Sequence, residues 1–148
     1  PVDPYYLSYI AKKNKFNSIV TLAGRKTNNK MEEFVFKKFV DFIKLNNKNL
    51  KSSKILVIGL TYKYGVSDMR NSLNLKIYNR IKKIVKEAYA YDPFSNENNS
   101  IINKNLLNFT RFDAVLFLTN GSIFKKIHKK IKLKKPKIIL DPFNYYNS

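Results

Sequence analysis

The sequence predicts an α/β protein in which a helical arm precedes a domain built on a parallel sheet. Three observations predict it. The runs Ile55-Leu-Val-Ile58, Ala114-Val-Leu-Phe-Leu118 and Lys137-Ile-Ile-Leu140 have the length and continuity of strands buried on both faces. Between them lie segments whose apolar residues recur at helical spacing. Ahead of residue 46 only the helical spacing occurs. Strand alternating with helix is the order of a parallel sheet, and such sheets take ligands beyond the carboxyl ends of their strands.

Taken in order, Asp3-Pro4 opens the first helix, because aspartate caps free N–H groups and proline at the first helical position gives up a donor that had no partner. Tyr5 to Ala11 continues it, and Lys13-Asn14-Lys15 ends it. From Ser18 to about Leu45, Ile19, Leu22, Ala23, Met31, Phe34, Val35, Phe39, Val40 and Ile43 follow three- and four-residue steps, which predicts one long helix or two. This apolar stripe is too wide for a helix exposed on one side. It is expected to pack on another subunit as well as on its own domain. The polar stretch Asn46 to Ser53 divides the arm, residues 1–48, from the α/β domain, residues 49–148. There follow a strand at 55–58 closed by Gly59, a loop from Leu60 to Asn71 and a helix from Ser72 to Lys86. Next come a strand at Ala88 to Tyr91 ending in Asp92-Pro93, an Asn-rich connection, a strand at 114–118 and a short helix from Ser122 to Lys130. The last strand, 137–140, ends at Asp141-Pro142.

Composition removes several classes of function. No apolar run approaches the roughly 20 residues that span a bilayer. The chain has no cysteine, which excludes disulfides, thiolate metal sites and a cysteine nucleophile within it, and the single histidine, His128, cannot build a metal site by itself. A cytoplasmic setting is the default, and no metal is expected. The chain starts at Pro1 with no signal-like succession after it, so the reading is of a truncated N-terminus. The formal net charge of +19 would ordinarily point to a polyanion. Yet 25 of the 29 basic residues are Lys, and they are spread along every segment, whereas nucleic-acid sites are Arg-rich and clustered. Lys, Asn and Ile share A- and T-rich codons, so base composition accounts for the bias. Nucleic acid is not the expected partner.

The most informative segment is Gly59-Leu-Thr-Tyr-Lys63-Tyr-Gly-Val-Ser-Asp68-Met-Arg70-Asn-Ser72. A strand end, two cations and a helix N-terminus together make an anion site. The same residues also allow a plainer reading, in which Lys63 is solvated and Asp68 pairs with Arg70 to fix the loop.

The spacing Gly-Leu-Thr-Tyr-Lys followed by Asp-x-Arg-x-Ser resembles the nucleotide-binding loop of the UDP-glucose/GDP-mannose (nucleotide-sugar) dehydrogenase family. Pro1-Val-Asp3-Pro-Tyr-Tyr-Leu7 resembles the stretch that follows the active-site cysteine of that family. Leu22-Ala-Gly-Arg-Lys-Thr-Asn28-Asn29-Lys-Met31 and Tyr91-Asp92-Pro93 resemble two further family segments, in the same order. The Pro-Val-Asp-Pro-Tyr-Tyr form looks like the branch acting on UDP-N-acetyl-hexosamines.

The resemblance implies a Rossmann-like domain that binds a UDP-sugar, a homodimer formed through the long helix, and an NAD-dependent oxidation of the sugar C6 alcohol to a carboxylate. It implies that Asp3, four positions after the expected cysteine, supports the nucleophile and the hydrolytic water, while also serving as a helix cap. Tyr62 and Lys63 would contact the UDP-sugar, and Arg70 would reach the cofactor, NAD. The catalytic cysteine and the N-terminal NAD-binding domain are missing, and no G-x-G-x-x-G occurs in the chain, so no activity is expected of it alone. Asn28-Asn29 stands where the family usually has Asn-Asp, and Phe143 stands where many members have an arginine. The alternative is a non-catalytic nucleotide-sugar-binding or oligomerisation module, or a remnant of gene decay.

Overall fold

The computed structural model describes residues 3–46, 48–95, 109–134 and 138–143. Most of the Asn-rich connection lies outside the described residues, as do Pro1, Val2 and Lys137. Helix α1 (Asp3–Lys13) is followed by a single long helix, α2 (Ile19–Leu45), and a 3₁₀ turn at Leu50–Ser52. Strand β1 (Lys54–Ile58), helix α3 (Leu73–Lys82) and strand β2 (Glu87–Tyr91) come next, then a 3₁₀ turn at Phe109–Arg111, β3 (Ala114–Phe117), α4 (Ser122–Lys134) and β4 (Ile138–Leu140).

All strand pairs are parallel, in the order β2-β1-β3-β4. Alternation along each strand divides the core between two faces. Ile55, Val57, Ala90, Ala114, Leu116 and Ile138 face α2 and α3 and meet Phe39, Ile43, Ile77 and Ile81. Leu56, Ile58, Val115 and Phe117 face the other way, onto Phe109, Phe112 and Phe124. The sheet is covered on both sides, which is why its strands carry no polar alternation.

Helix α2 serves two surfaces. Phe39 and Ile43 are buried against the sheet, with Val35 partly buried beside them, whereas Ile19, Val20, Leu22, Met31 and Phe34 are exposed. Val35 and Phe39, expected in one stripe with the exposed residues, therefore belong to this chain's own core. Helix α3 is shorter than its apolar spacing suggests. It closes at Lys83, where Lys83 N–H reaches Arg80 O and Ile84 N–H reaches Ile81 O. The chain then turns, and the N–H groups of Lys86 and Glu87 bond Ser53 O just ahead of β2. Ile84 and Val85 lie in that turn rather than in the helix.

Candidate functional site

Leaving β1, the chain goes first to β2 on one side and later to β3 on the other, so the carboxyl ends of β1 and β3 flank the crevice where such sheets take ligands. Gly59 and Thr119 meet there. A β-carbon on Gly59 would lie 2.7 Å from Thr119 Cβ, and its φ is +89°, a conformation that glycine adopts without strain. Asn74, in the first turn of α3, donates from Nδ2 to Thr119 Oγ1 at 3.0 Å.

Beyond Gly59 the chain is held by Asp92, which lies just past β2 and is fully buried. Its Oδ2 accepts from Leu60 N–H and Thr61 N–H, each at 2.8 Å, and from the Thr61 hydroxyl at 2.9 Å; its Oδ1 accepts from Phe94 N–H at 3.0 Å. Four donors on one carboxylate satisfy a buried polar group that would otherwise be costly.

The far end of the loop is held as firmly. Ser72 caps α3 by accepting from Leu75 N–H at 3.3 Å and donates its own hydroxyl to Leu60 O at 2.7 Å, the usual use of serine at an N-cap. Across the loop Tyr62 N–H donates to Asp68 O at 2.7 Å. The Arg70 guanidinium forks onto the Asp68 carboxylate, from Nε at 3.1 Å and Nη2 at 3.0 Å, and Arg70 N–H bonds the same group at 2.8 Å. These hydrogen bonds from the Arg70 side chain and then its backbone hold the Asp68 carboxyl below its ordinary range. The plainer reading of Asp68 and Arg70 as a loop-fixing pair is thus seen directly. The arginine side chain nonetheless remains 88% exposed.

Between these two anchors Tyr62, 38% exposed, and Lys63 open to solvent. Tyr64 turns inward. Its hydroxyl lies 3.1 Å from Ser122 Oγ, its ring stands edge-on to Phe94 and Phe124, and a β-carbon on Gly121 would lie 2.0 Å from that ring. The loop is therefore fastened to the start of α4 as well. Tyr62, Lys63 and Arg70 lie on one loop, whereas Asp3 is apart from them. It is the first residue of α1 and borders an apolar hollow with Tyr5, Tyr6, Leu7 and Ile10. Among the described residues no hydrogen bond or ion pair links Asp3 to this loop, and no group of carboxylates, histidine and cysteine is arranged to hold a metal.

Phe143 is exposed just beyond β4, its N–H bonded to Asp141 Oδ1 at 3.1 Å. Buried His128 of α4 stacks near Phe117 and places Nε2 3.7 Å from Asp141 Oδ2. His128 is thus a core residue that ties α4 to the end of β4. Reading along the sequence does not disclose Thr119, Asn74, Tyr64 or Gly121 as parts of the site. The only local signal is that Thr119 closely follows a buried strand, since the partners of all four are distant in the chain.

Residues 56–148 match the UDP binding domain of the UDP-glucose/GDP-mannose dehydrogenase family. The chain belongs to this family. A UDP-N-acetyl-D-mannosamine dehydrogenase of Pyrococcus horikoshii is 33% identical over 148 residues, 97% of this chain and 34% of that protein. The solved structure of UDP-D-ManNAc dehydrogenase from Pyrococcus horikoshii superposes with a TM-score of 0.77 at 29% identity, over 97% of this chain and 33% of the other. The UDP-N-acetyl-mannosamine dehydrogenase of Staphylococcus aureus does so with a TM-score of 0.72 at 28% identity, over 99% and 34%. This member of the nucleotide-sugar dehydrogenase family thus spans about a third of the length of the relatives it matches. No described helix is long and apolar enough to cross a membrane.

Proposed function

We propose that this chain is the UDP-sugar-binding portion of an NAD-dependent UDP-sugar 6-dehydrogenase, one that converts the sugar C6 alcohol to a uronate for polysaccharide precursors in the cytoplasm and is inactive without a separate NAD-binding domain. The observation that carries this reading is the loop 60–71: it is fastened at both ends beside the β1/β3 crevice, and it leaves Tyr62 and Lys63 open to solvent within the segment that matches a UDP binding domain.

In this reading residues 1–48 form a dimerising arm and residues 49–148 the UDP-sugar domain. Lys63 sets a compact ammonium against the diphosphate, and the partial positive charge of the α3 N-terminus adds to it. Tyr62 lies against the nucleotide-sugar beside it. NAD, when bound, takes up the hydride. The exposed fork of Arg70 has the planar donor geometry that suits a cofactor phosphate, and the remainder of the cofactor site belongs to an N-terminal domain not found in this chain. Asp3, exposed in the first turn of α1, supports a cysteine four residues before it and the water that releases the product.

A titration of UDP tests the binding half. Lys63→Ala should weaken UDP by roughly ten- to a hundredfold, as expected for hydrogen bonds to a charged group. Lys63→Arg should rescue only in part, because a planar fork does not occupy the place of a point charge. Lys83→Ala and Lys129→Ala should change nothing. Equal losses at all these lysines would mean diffuse attraction and no site. The chain alone should reduce no NAD with any UDP-sugar, and turnover above background would overturn the reading of a part that needs its complement.

A second reading, a non-catalytic nucleotide-sugar-binding or oligomerisation module or a remnant of gene decay, is favoured by Phe143, an apolar side chain exposed at the carboxyl end of β4. An upstream in-frame domain carrying a cysteine four residues before Asp3 would decide for the enzyme.

A further inference from the structure

A hollow of about 470 Å³ lies between α1, α2 and α3, lined among others by Tyr5, Arg25, Lys26, Asn29, Lys30 and Arg80. None of Tyr62, Lys63 and Arg70 borders it. Its hydrogen bonds have one consistent polarity. Arginine can only donate, so Arg25 Nη2, 3.2 Å from Asn29 Oδ1, holds that oxygen toward the guanidinium. The amide nitrogen is thereby turned to Tyr5 and donates to its hydroxyl oxygen at 2.9 Å. Tyr5 is the acceptor of this bond, and its own proton is left for a further acceptor. Donation from Asn29 and then from Arg25 holds the phenol below the ordinary tyrosine range.

The charges are equally one-sided. Arg25 stacks 5.1 Å from the centre of the Tyr5 ring and is bonded to a neutral amide, so its charge is uncompensated, and its Nε has no acceptor among the described residues. Lys26 and Lys30 make no ion pair among the described residues. Glu32 is engaged by Arg80 at 3.4 Å, which leaves Glu33 as the other carboxylate on the wall. Net positive charge, a donor-only guanidinium and a phenol with a spare proton converge on one concave surface.

We propose that this hollow binds a phosphate-type oxyanion, held by the Tyr5 hydroxyl, the Arg25 guanidinium and the Lys26 and Lys30 ammonium groups. It is separate from the nucleotide-sugar loop and stands whether or not that loop binds UDP.

The decisive variant is Asn29→Asp. It keeps the side chain's shape but neutralises Arg25 and turns the Tyr5 proton back onto the new carboxylate. Titration of inorganic phosphate into the 148-residue chain, followed by calorimetry at low ionic strength, should show binding that Asn29→Asp and Tyr5→Phe each weaken by roughly tenfold, about 1.4 kcal/mol. Thermal melts of both variants should match the wild type. Lys83→Ala should bind phosphate as the wild type does, the loss in Asn29→Asp should appear equally in a Lys63→Ala background, and UDP binding should survive Asn29→Asp. Unchanged phosphate binding in both Asn29→Asp and Tyr5→Phe would overturn the proposal. So would an equal loss in Lys83→Ala, which would show diffuse attraction, or a loss confined to Lys63→Ala, which would place the phosphate on the loop.

Discussion

Gly59 and Thr119 stand closer than two side chains could: the β-carbon that Gly59 lacks would fall 2.7 Å from Thr119 Cβ and 3.1 Å from its backbone nitrogen. The ends of β1 and β3 are drawn together at the mouth of the crevice, and the positive φ of Gly59 starts the loop that carries Tyr62 and Lys63.

Gly59→Ala should therefore be costly twice over, through overpacking against a buried neighbour and through strain at positive φ. Together these amount to about 2–4 kcal/mol. Chemical denaturation should show the midpoint falling with an unchanged slope. A loss within error of zero would mean that β1 and β3 part easily at this point.

Asp92 joins the end of β2 to the start of the loop, and its replacements should differ in a predictable order. Asp92→Ala leaves the buried N–H groups of Leu60 and Thr61 without their acceptor and the Thr61 hydroxyl with only the longer bond to Lys63 O, for a loss of about 2–4 kcal/mol. Asp92→Asn can still turn its oxygen to those three donors, setting its amide against Phe94 N–H alone, and should lose less. Equal stability of the two variants by urea melts would contradict this geometry.

The legible part of the fold is the part written locally. Strands buried on both faces read as continuous apolar runs, so Ile55 to Ile58 and Ala114 to Phe117 are evident along the chain, and glycine after β1 marks the turn. The order β2-β1-β3-β4 is not written there, because edge pairing depends on which surfaces the helices cover. Ile84 and Val85 keep helical spacing, yet the chain has already turned at Lys83 so that Lys86 and Glu87 can bond Ser53 O, a partner far back in the sequence. The loop motif discloses Asp68, Arg70 and Ser72 as neighbours. It cannot disclose that Asp92 fastens Leu60 and Thr61, or that Tyr64 occupies the space over Gly121, since each contact spans tens of residues.

Acid should act on the β1–β2 edge. Lys54 and Glu87 are register partners with Nζ 2.7 Å from Oε1, and the Tyr89 hydroxyl donates to the same carboxylate. The Lys54 bond first, then that of Tyr89, holds the Glu87 carboxyl below its ordinary range. A depressed folded-state pKa stabilises the fold above the unfolded value and ceases to do so as pH falls through the folded one. The wild type should therefore exceed Glu87→Gln by a small constant margin at neutral pH, and the two should converge below the ordinary glutamate range. The pair is solvent-facing, so the margin should shrink with added salt. A gap that widens in acid would reverse the assignment.

Helix α2 buries one face of its second half and is bare along its first. Phe39 and Ile43 are each 1% exposed, whereas Ile19 is 67%, Val20 86% and Phe34 54% exposed. The neighbouring helix also exposes Tyr6, Leu7 and Tyr9, so both helices of the arm carry bare apolar side chains. So many large apolar side chains left bare on one arm point to an interface, and a second copy of the same face is the simplest complement, since a two-fold contact places the same surface against itself. Sedimentation at micromolar concentration should give a mass above that of the monomer. Ile19→Glu combined with Val20→Glu should restore the monomer, because two desolvated carboxylates cannot be accommodated between apolar faces. The sheet and the second half of α2 are untouched by these changes, so the thermal transition extrapolated to low concentration should be retained. A wild-type chain that sediments as a monomer over that range would show that this face serves something other than a second copy.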